Sequence, residues 1–296
     1  MSGRLSRAAL WAGKIVVGGI CFYAGVIAGS IVASALGIAS PPLPPGVDDS
    51  VLGTYLLFSS FFVAIAFALL SPHLHTGFLA RWLILTLLAW ITLGINTALE
   101  ATVFTPAMAS FGFVMVTYGI AGLAGAAAIA KMVAPPEEHP PFMLQGRRFF
   151  TMYEPKLLTL FMVIAVVAFP VIYVIFGWMV QPLIIGFYEE QLAGLRLPGW
   201  GELIQVQLLR SLLFLIACLP VLMVWHGSPR SLWLRLGISL FILVGGVFMF
   251  QSYWLPAEMR VFHSLEILAD SVAYAGVLVL LFARPLGVTS QGNISN

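Results

Sequence analysis

Long apolar runs alternate with short polar breaks along almost the whole chain. A helix needs about 20 mostly apolar residues to cross the hydrocarbon core of a bilayer. Eight runs reach that length, and breaks such as Pro41-Pro42 and Ser71-Pro72 separate them. The pattern therefore predicts an all-α integral membrane protein with eight transmembrane helices. The predicted spans are Ala9–Leu36, Val51–Leu70, Leu79–Phe104, Ala107–Val133, Leu157–Val180, Leu203–Val224, Leu232–Tyr253 and Val261–Phe282.

The composition agrees with a chain that is mostly covered by lipid. Charged residues make up 9% of the 296 residues, whereas a soluble domain carries about 25%. So few charges cannot form a water-facing surface, so the main partner is the lipid bilayer. The net charge of +2 and the scattered basic residues argue against a nucleic-acid partner. Cys21 and Cys218 each lie in an apolar run and are interpreted as small hydrophobic residues.

The two halves of the chain resemble each other. His75 and Trp82 precede the third span with the same spacing as His226 and Trp233 before the seventh, at an offset of 151 residues. Four spans in each half is an even number, so both halves enter the membrane in the same orientation. Their relating axis would then run along the membrane normal, as in transporters with parallel repeats. We predict two tandem four-helix repeats, residues 1–134 and 157–296, joined by a cytoplasmic linker at 135–156.

Basic residues are concentrated on one side of the predicted membrane. Only Arg196, Arg210 and Arg260, three of the 14 basic residues, fall on the side away from the linker. Cytoplasmic loops carry an excess of Lys and Arg, so both termini are predicted in the cytoplasm of a bacterial inner-membrane protein. The first run is too long for a signal peptide and has a counterpart in the second half, so it is kept as a helix. The linker side holds Arg4, Arg7, Lys14, Arg81, Lys131, Arg147, Arg148, Lys156, Arg230, Arg235 and Arg284.

Small residues indicate where helices pack most closely. They recur at every fourth position of the first span and at every third position of part of the fourth. Small side chains let two backbones approach closely, which favours helix association in lipid. The two predicted ridges are Gly25, Gly29, Ala33 and Gly37 on the first span, and Gly119, Gly122 and Gly125 on the fourth.

The last span carries an unusual row of ionisable residues. A charged side chain at the bilayer centre costs about 2.5–3.5 kcal/mol on insertion scales, so such residues are informative. At about 100° per residue, Glu266 lies about 60° from His263 around the helix, and Asp270 only about 20° away. Arg260 and Tyr274 are expected on the same side. The row is expected to run from the outer surface toward the middle of the membrane.

Other spans place polar residues at the same membrane depth. Asn96 and Glu100 lie one turn apart near the outer end of the third span, and Arg210 lies in the outer part of the sixth. The first half carries no charge at the corresponding positions. Ser59 corresponds to Arg210, and Phe113 and Val116 correspond to His263 and Glu266. We therefore predict an asymmetric polar pocket that opens to the outside. Its candidate substrate-binding residues are Asn96, Glu100, Arg210, Arg260, His263, Glu266 and Asp270.

The leading hypothesis from the sequence is binding, with or without transport, of a small polar or amphiphilic solute. In that hypothesis Arg210 and Arg260 attract an anionic group, while Glu266 and Asp270 couple to protons or a cation. Three alternatives stay open. The charges could form structural ion pairs between helices, or His263, Glu266 and Asp270 could form the site of an intramembrane enzyme, with or without a metal, that acts on a lipid-borne substrate. The chain could also be a structural subunit of a membrane complex or a homo-oligomer.

Several other functional classes have no support in the sequence. There is no phosphate-binding loop, no dinucleotide-binding glycine motif and no HExxH zinc motif. Only one histidine, His263, lies within a predicted span, which argues against a haem ligated by two histidines. The string Tyr188-Glu189-Glu190 is predicted to lie in a solvated loop. The sequence therefore leaves any cofactor unknown, and it predicts no metal site.

Overall fold

The computed structural model describes residues 2–44, 47–106, 110–136 and 140–283, with no side chains described for residues 2–7. Within these ranges the chain is helical, and eight of its helices are long and apolar enough to cross a membrane. The predicted all-α membrane protein with eight spans is therefore confirmed. Pro45, Gly46, the predicted start of the fourth span at Ala107, and Arg284 lie outside the described residues. The helices are α1 Ser2–Ala35, α2 Asp49–Leu70, α3 Phe78–Phe104, α4 Phe111–Met132, α5 Phe142–Thr151, α6 Pro155–Glu189, α7 Trp200–Val224, α8 Pro229–Gln251 and α9 Ala257–Phe282.

The helices differ from the prediction at the end of α6 and within the linker. Helix α6 continues to Glu189 rather than ending near Val180, so Tyr188 is helical and buried instead of lying in a solvated loop. The apolar pattern resumes at Leu183 beyond Pro182, and the helix continues through that proline. The predicted linker also contains a short helix, α5, that is too short to be a span.

Hydrogen bonds between connections define two ends of the bundle. At the linker end, which contains α5, the Ser71 hydroxyl donates to the Val133 carbonyl at 2.6 Å, and the Tyr153 hydroxyl donates to Phe282 at 2.7 Å. At the opposite end, the Ser110 hydroxyl donates to the Ala39 carbonyl at 2.6 Å. Consecutive spans therefore run antiparallel between these two ends.

Helix α2 begins at the opposite end with a well-formed cap. The Asp48 carboxylate accepts hydrogen bonds from the Ser50 amide at 2.7 Å and the Val51 amide at 3.4 Å. Bonds from the Ser50 hydroxyl and from these two amides hold the pKa of Asp48 below its usual value. The Tyr253 hydroxyl also donates to the Asp48 carbonyl, so the start of α2 is tied to the connection between α8 and α9. The cap satisfies amide groups that the first turn of a helix leaves unpaired.

The two halves meet at the linker end through reciprocal contacts. Leu74 and Trp225 form an isolated antiparallel bridge, and they are 151 residues apart. The His75 amide donates to the Val224 carbonyl at 3.0 Å, and the His226 amide donates to the His73 carbonyl at 2.8 Å. Each bond is the counterpart of the other at the same offset, which is the pattern that a two-fold axis produces. These contacts support the predicted pair of four-helix repeats.

Both α3 and α8 contain a π-helical segment near the middle, which the sequence pattern did not predict. The segments are Trp90–Ile95 in α3 and Ile242–Gly246 in α8. Gly94 and Gly245 occupy equivalent places in them, again 151 residues apart. A π-helical turn adds a residue to the helix and often occurs at functional sites. Each segment therefore sets which residues of the following turns face the protein interior.

The predicted small-residue ridge on the first span packs directly against α4. A Cβ atom added to Gly25 would lie 2.6 Å from Ala121 Cα, and one added to Gly29 would lie 2.7 Å from Thr117 Cα. Gly37 is not part of this contact, because it follows the end of α1 with a φ of +73°. Such a left-handed glycine is a common way to end a helix.

Candidate binding cavity

A cavity of about 240 Å³ lies toward the opposite end of the bundle, between α3 and four helices of the second half. One wall is apolar and includes Leu240, Val244, Phe248, Leu255 and Met259. The other wall carries ionisable side chains from three helices. These side chains are Glu100 of α3, Arg210 of α7, and His263, Glu266 and Asp270 of α9. The cavity is therefore amphiphilic, with an apolar surface that comes mainly from α8 and charged side chains from α3, α7 and α9.

Arg210 lies in the charged wall with its side chain almost fully buried. Its Nε donates to Asn96 Oδ1 at 2.7 Å, and its Nη1 donates to Glu100 Oε1 at 3.1 Å and to Gln207 Oε1 at 3.0 Å. The guanidinium also lies 5.6 Å from the ring centre of Phe169, and the rings of Tyr173 and Phe214 are at 5.7 and 5.9 Å. Arg210 therefore forms an ion pair between helices with Glu100, rather than with Glu266 or Asp270 of α9.

A chain of hydrogen bonds connects α6 with α9. The His263 Nδ1 atom is 2.8 Å from Glu266 Oε2, and the Tyr188 hydroxyl is 3.0 Å from His263 Nε2. Gly177 of α6 faces the same carboxylate, because a Cβ there would lie 3.1 Å from Glu266 Oε1. The absence of a side chain at Gly177 thus lets α6 approach this part of the site. Tyr188 was not predictable as a member of the site, since its partner His263 belongs to a helix far away in the chain.

Asp270 is the buried carboxyl group of the cavity that lacks a matching cation. Its residue surface is 5% exposed, and it lines the cavity. Among the described residues, Asp270 Oδ1 has no hydrogen-bond partner and Asp270 has no salt bridge. A buried polar atom without a partner is costly, so Asp270 has unused capacity to accept a hydrogen bond from a ligand.

Arg260 departs from the row predicted on α9. It is half-buried in the first turn of the helix, it does not line the cavity, and it forms no salt bridge within the described parts of the chain. The reason is angular, because Arg260 and Asp270 are separated by about 80° around the helix at about 100° per residue. Of the seven predicted residues, five line the cavity; Asn96 supports Arg210 from behind the wall, and Arg260 lies apart.

The first half lacks this set of charges, as predicted. Gln251 Nε2 donates to the Ser59 hydroxyl at 2.6 Å, and this pair is the counterpart of Glu100 and Arg210 at the offset of 151. For the last helix of each half, α4 and α9, the offset between corresponding residues differs by one from the predicted offset. Trp82 Nε1 donates to the Leu123 carbonyl and Trp233 Nε1 to the Val272 carbonyl, both at 2.8 Å, which gives an offset of 149. The counterparts of His263, Glu266 and Asp270 are then Val114, Thr117 and Ala121, instead of Phe113 and Val116 for the first two.

Together, the helices and the cavity define a multi-pass α-helical membrane protein with an amphiphilic internal site. Within the described ranges, no three His, Cys, Asp or Glu side chains are placed to hold a metal ion together. Comparison of the chain with protein-family models, with curated proteins and with solved structures finds no match.

Proposed function

We propose that this protein binds a small amphiphilic solute in the cavity and carries it across the bacterial inner membrane. The observation that carries the proposal is a cavity that combines an apolar wall with buried charged groups. Drug-sized ligands occupy sites of roughly 300–1,000 Å³, and this cavity has about 240 Å³. The volume favours a short-chain amphiphile over a whole phospholipid.

The architecture supports transport as well as binding. Parallel repeats related by an axis along the membrane normal occur in transporters, whose sites lie at the interface between repeats. Here α3 of the first half contributes Glu100 and Ala101 to a cavity whose other lining helices belong to the second half. The π-helical segment of α8 contributes Val244 and Gly245 to the same cavity, so a helix irregularity lines the site. With the linker in the cytoplasm, the cavity opens in the outer half of the membrane.

The charged residues have distinct roles in this proposal. Arg210 organises the wall, because its hydrogen bonds fix the positions of Asn96, Glu100 and Gln207. The hydrogen-bonded pair of His263 and Glu266 is placed to hold and pass on a proton, as histidine and carboxylate groups do in the proton relays of transporters. Asp270 contacts the polar end of the solute.

A pair of neighbouring substitutions tests whether the cavity binds an amphiphile. Ala101 lines the cavity, whereas Thr102, the next residue of α3, is exposed. We expect Ala101→Phe to weaken binding of 1-octanol at least tenfold in native mass spectrometry, because the added ring fills the site. Thr102→Phe should bind octanol as the wild type does. The proposal fails if wild-type protein binds no octanol, or if both variants bind it equally well.

A second function, acid–base catalysis on a lipid-borne substrate, is favoured by the hydrogen-bond chain from Tyr188 through His263 to Glu266. A positioned imidazole between a carboxylate and a phenol is a suitable general acid or base. The test is to incubate the protein with vesicles of bacterial lipid extract and to measure lipid masses over time. Conversion by the wild type that is lost in Glu266→Gln would establish catalysis, and unchanged lipid masses would exclude this function for those lipids.

A further inference from the structure

We infer that the solute carries a positively charged nitrogen at its polar end, so that the cavity selects alkylammonium-type amphiphiles. This inference rests on the proposed function, because it specifies the ligand of the same cavity. It differs from the expectation from sequence, in which Arg210 and Arg260 attract an anionic group.

The hydrogen-bonding groups of the charged wall favour a donor on the ligand. Arg210 is the cation of that wall, and its Nε and Nη1 atoms are already bonded to Asn96, Glu100 and Gln207. Asp270 Oδ1, in contrast, is a buried acceptor that no described residue satisfies. A ligand ammonium supplies N–H donors for that oxygen, whereas a ligand carboxylate supplies none. Asp270 Oδ1 is therefore a free acceptor on the charged wall, and it suits a ligand that donates hydrogen bonds.

The charges of the lining favour the same ligand. Three carboxyl groups line the cavity, Glu100, Glu266 and Asp270, and Arg210 pairs with the first of them. His263 lies against the second, at 2.8 Å. Asp270 has no cation of its own among the residues that the structure describes. A buried charge is strongly unfavourable unless an opposite charge accompanies it, so a cationic ligand is stabilised here and an anionic ligand is excluded by repulsion.

Aromatic rings next to Asp270 add to the attraction. Tyr274 follows Asp270 by one turn and lines the cavity with Phe169, and their ring centres are 5.3 Å apart. The Arg210 guanidinium already lies 5.6 Å from the centre of the Phe169 ring, so this ring accommodates a cation in this environment. Ring faces attract ammonium groups when water is excluded. A ligand nitrogen that bonds to Asp270 would share that aromatic surface.

The apolar wall determines the rest of the ligand. Leu240, Val244 and Phe248 of α8 face the cavity, and Leu255 and Met259 line it near the start of α9. This surface offers no charge to a second polar group, so it favours a hydrocarbon chain. The combined site fits an ammonium head beside Asp270 and a short alkyl tail along α8.

Three ligands with the same tail and different heads provide the test. Octylammonium, 1-octanol and octanoate are titrated into the protein in phosphatidylcholine nanodiscs, with empty nanodiscs as the background, and bound ligand is counted by native mass spectrometry. We expect octylammonium to bind at least tenfold more tightly than octanol, and octanoate to bind most weakly. Equal affinities, or tighter binding of octanoate, would overturn the inference while leaving amphiphile binding intact. Absence of octanol binding would contradict the proposed function itself.

Two matched variants locate the preference. Asp270→Asn keeps the shape of the side chain and removes its charge, so it should lose the preference for octylammonium over octanol. Glu258→Gln, an exposed carboxyl group in the first turn of the same helix, should leave the preference unchanged. An unchanged preference in Asp270→Asn would contradict the assignment of Asp270. If Asp270→Asn does not fold, the order of the three ligands on the wild-type protein still decides the inference.

Discussion

Arg210 holds a positive charge where almost no solvent reaches it. Removing a charged group from water costs several kcal/mol, which only excellent geometry and further hydrogen bonds recover. Here three side chains from α3 and α7 accept from the guanidinium, and Phe169 lies against it. The consequence is that two neighbouring helices are fixed relative to each other at the charged wall of the cavity.

A double-mutant cycle measures this interaction. We predict that Arg210→Met lowers the free energy of unfolding by about 3 kcal/mol, because it leaves Glu100 and Asn96 unpaired. In the double variant with Glu100→Gln, the decrease in the free energy of unfolding should be smaller than the sum of the two single decreases by about 1–2 kcal/mol. This coupling is moderate because the Glu100 side chain is 32% exposed. Unfolding by SDS in one detergent gives all four values.

Arg260→Met serves as the control for that cycle, because Arg260 is half-buried and has no salt bridge in the described chain. It should change the free energy of unfolding by less than about 0.5 kcal/mol. Strictly additive losses for Arg210 and Glu100 would show that their ion pair does not stabilise the fold.

At the residue scale, the sequence predicted which side chains share a helix face, but not which ones meet. His263, Glu266 and Asp270 were placed together correctly, because helical spacing is a local property. The partner of Arg210 is Glu100, and His263 meets Tyr188. Those pairs depend on which helices are neighbours, and apolar spans carry little information about their neighbours.

Among the helices, α1 and α4 make the closest contact, with Gly25 and Gly29 against the α4 backbone. Lipid is as apolar as the helices, so association depends on packing rather than on exclusion of water. The atoms that face these glycines belong to the α4 backbone, which cannot move away from an added methyl group as a flexible side chain can. The glycines are therefore required by geometry at this contact.

Single methyl additions test that requirement. We predict that Gly29→Ala destabilises the protein by about 1–3 kcal/mol, because its Cβ would lie 2.7 Å from Thr117 Cα. Gly13→Ala is the matched control, since no atom lies within 4 Å of its added Cβ. It should be neutral or slightly stabilising, as alanine is the better helix former. Equal thermal stability of the two variants would contradict this role of Gly29.

The π-helical segments show a limit of prediction at the element scale. Soluble helices reveal their register through an apolar stripe, but residues Trp90–Ile95 and Ile242–Gly246 lie in runs that are apolar on nearly every side. An inserted residue therefore leaves no trace in the pattern. The end of α6 also differs from the prediction, because the predicted span ends at Val180, just before Pro182, whereas the helix continues through that proline to Glu189.

The whole molecule combines two similar halves with one charged site. The reciprocal bonds of His75 and His226 hold the halves together at the linker end, away from the cavity. The number of spans was predictable, because length and hydropathy are visible in the chain, whereas the internal repeat indicated by the histidine–tryptophan spacing stays a prediction. The domain boundaries at 134 and 157 and the orientation in the membrane stay predictions.

Cysteine labelling tests the predicted orientation. Asp49 and Lys156 are exposed and lie at opposite ends of the bundle. In intact cells, a membrane-impermeant maleimide should label Asp49→Cys, and it should label Lys156→Cys only after permeabilisation. The wild-type protein controls for Cys21 and Cys218, which are half-buried and buried within the helices. Labelling of Lys156→Cys alone in intact cells would reverse the topology.

The length of α6 has a consequence for how the membrane acts on the site. Its 35 residues span about 52 Å at 1.5 Å per residue, whereas the hydrocarbon core is about 30 Å thick. A helix this long adapts to its surroundings by tilting, and the tilt changes with bilayer thickness. Tyr188 lies at the C-terminal end of α6, and its hydroxyl is hydrogen-bonded to His263. We therefore expect the acyl-chain length of the surrounding lipids to change the tilt of α6, and with it the position of Tyr188 against His263 at the charged wall.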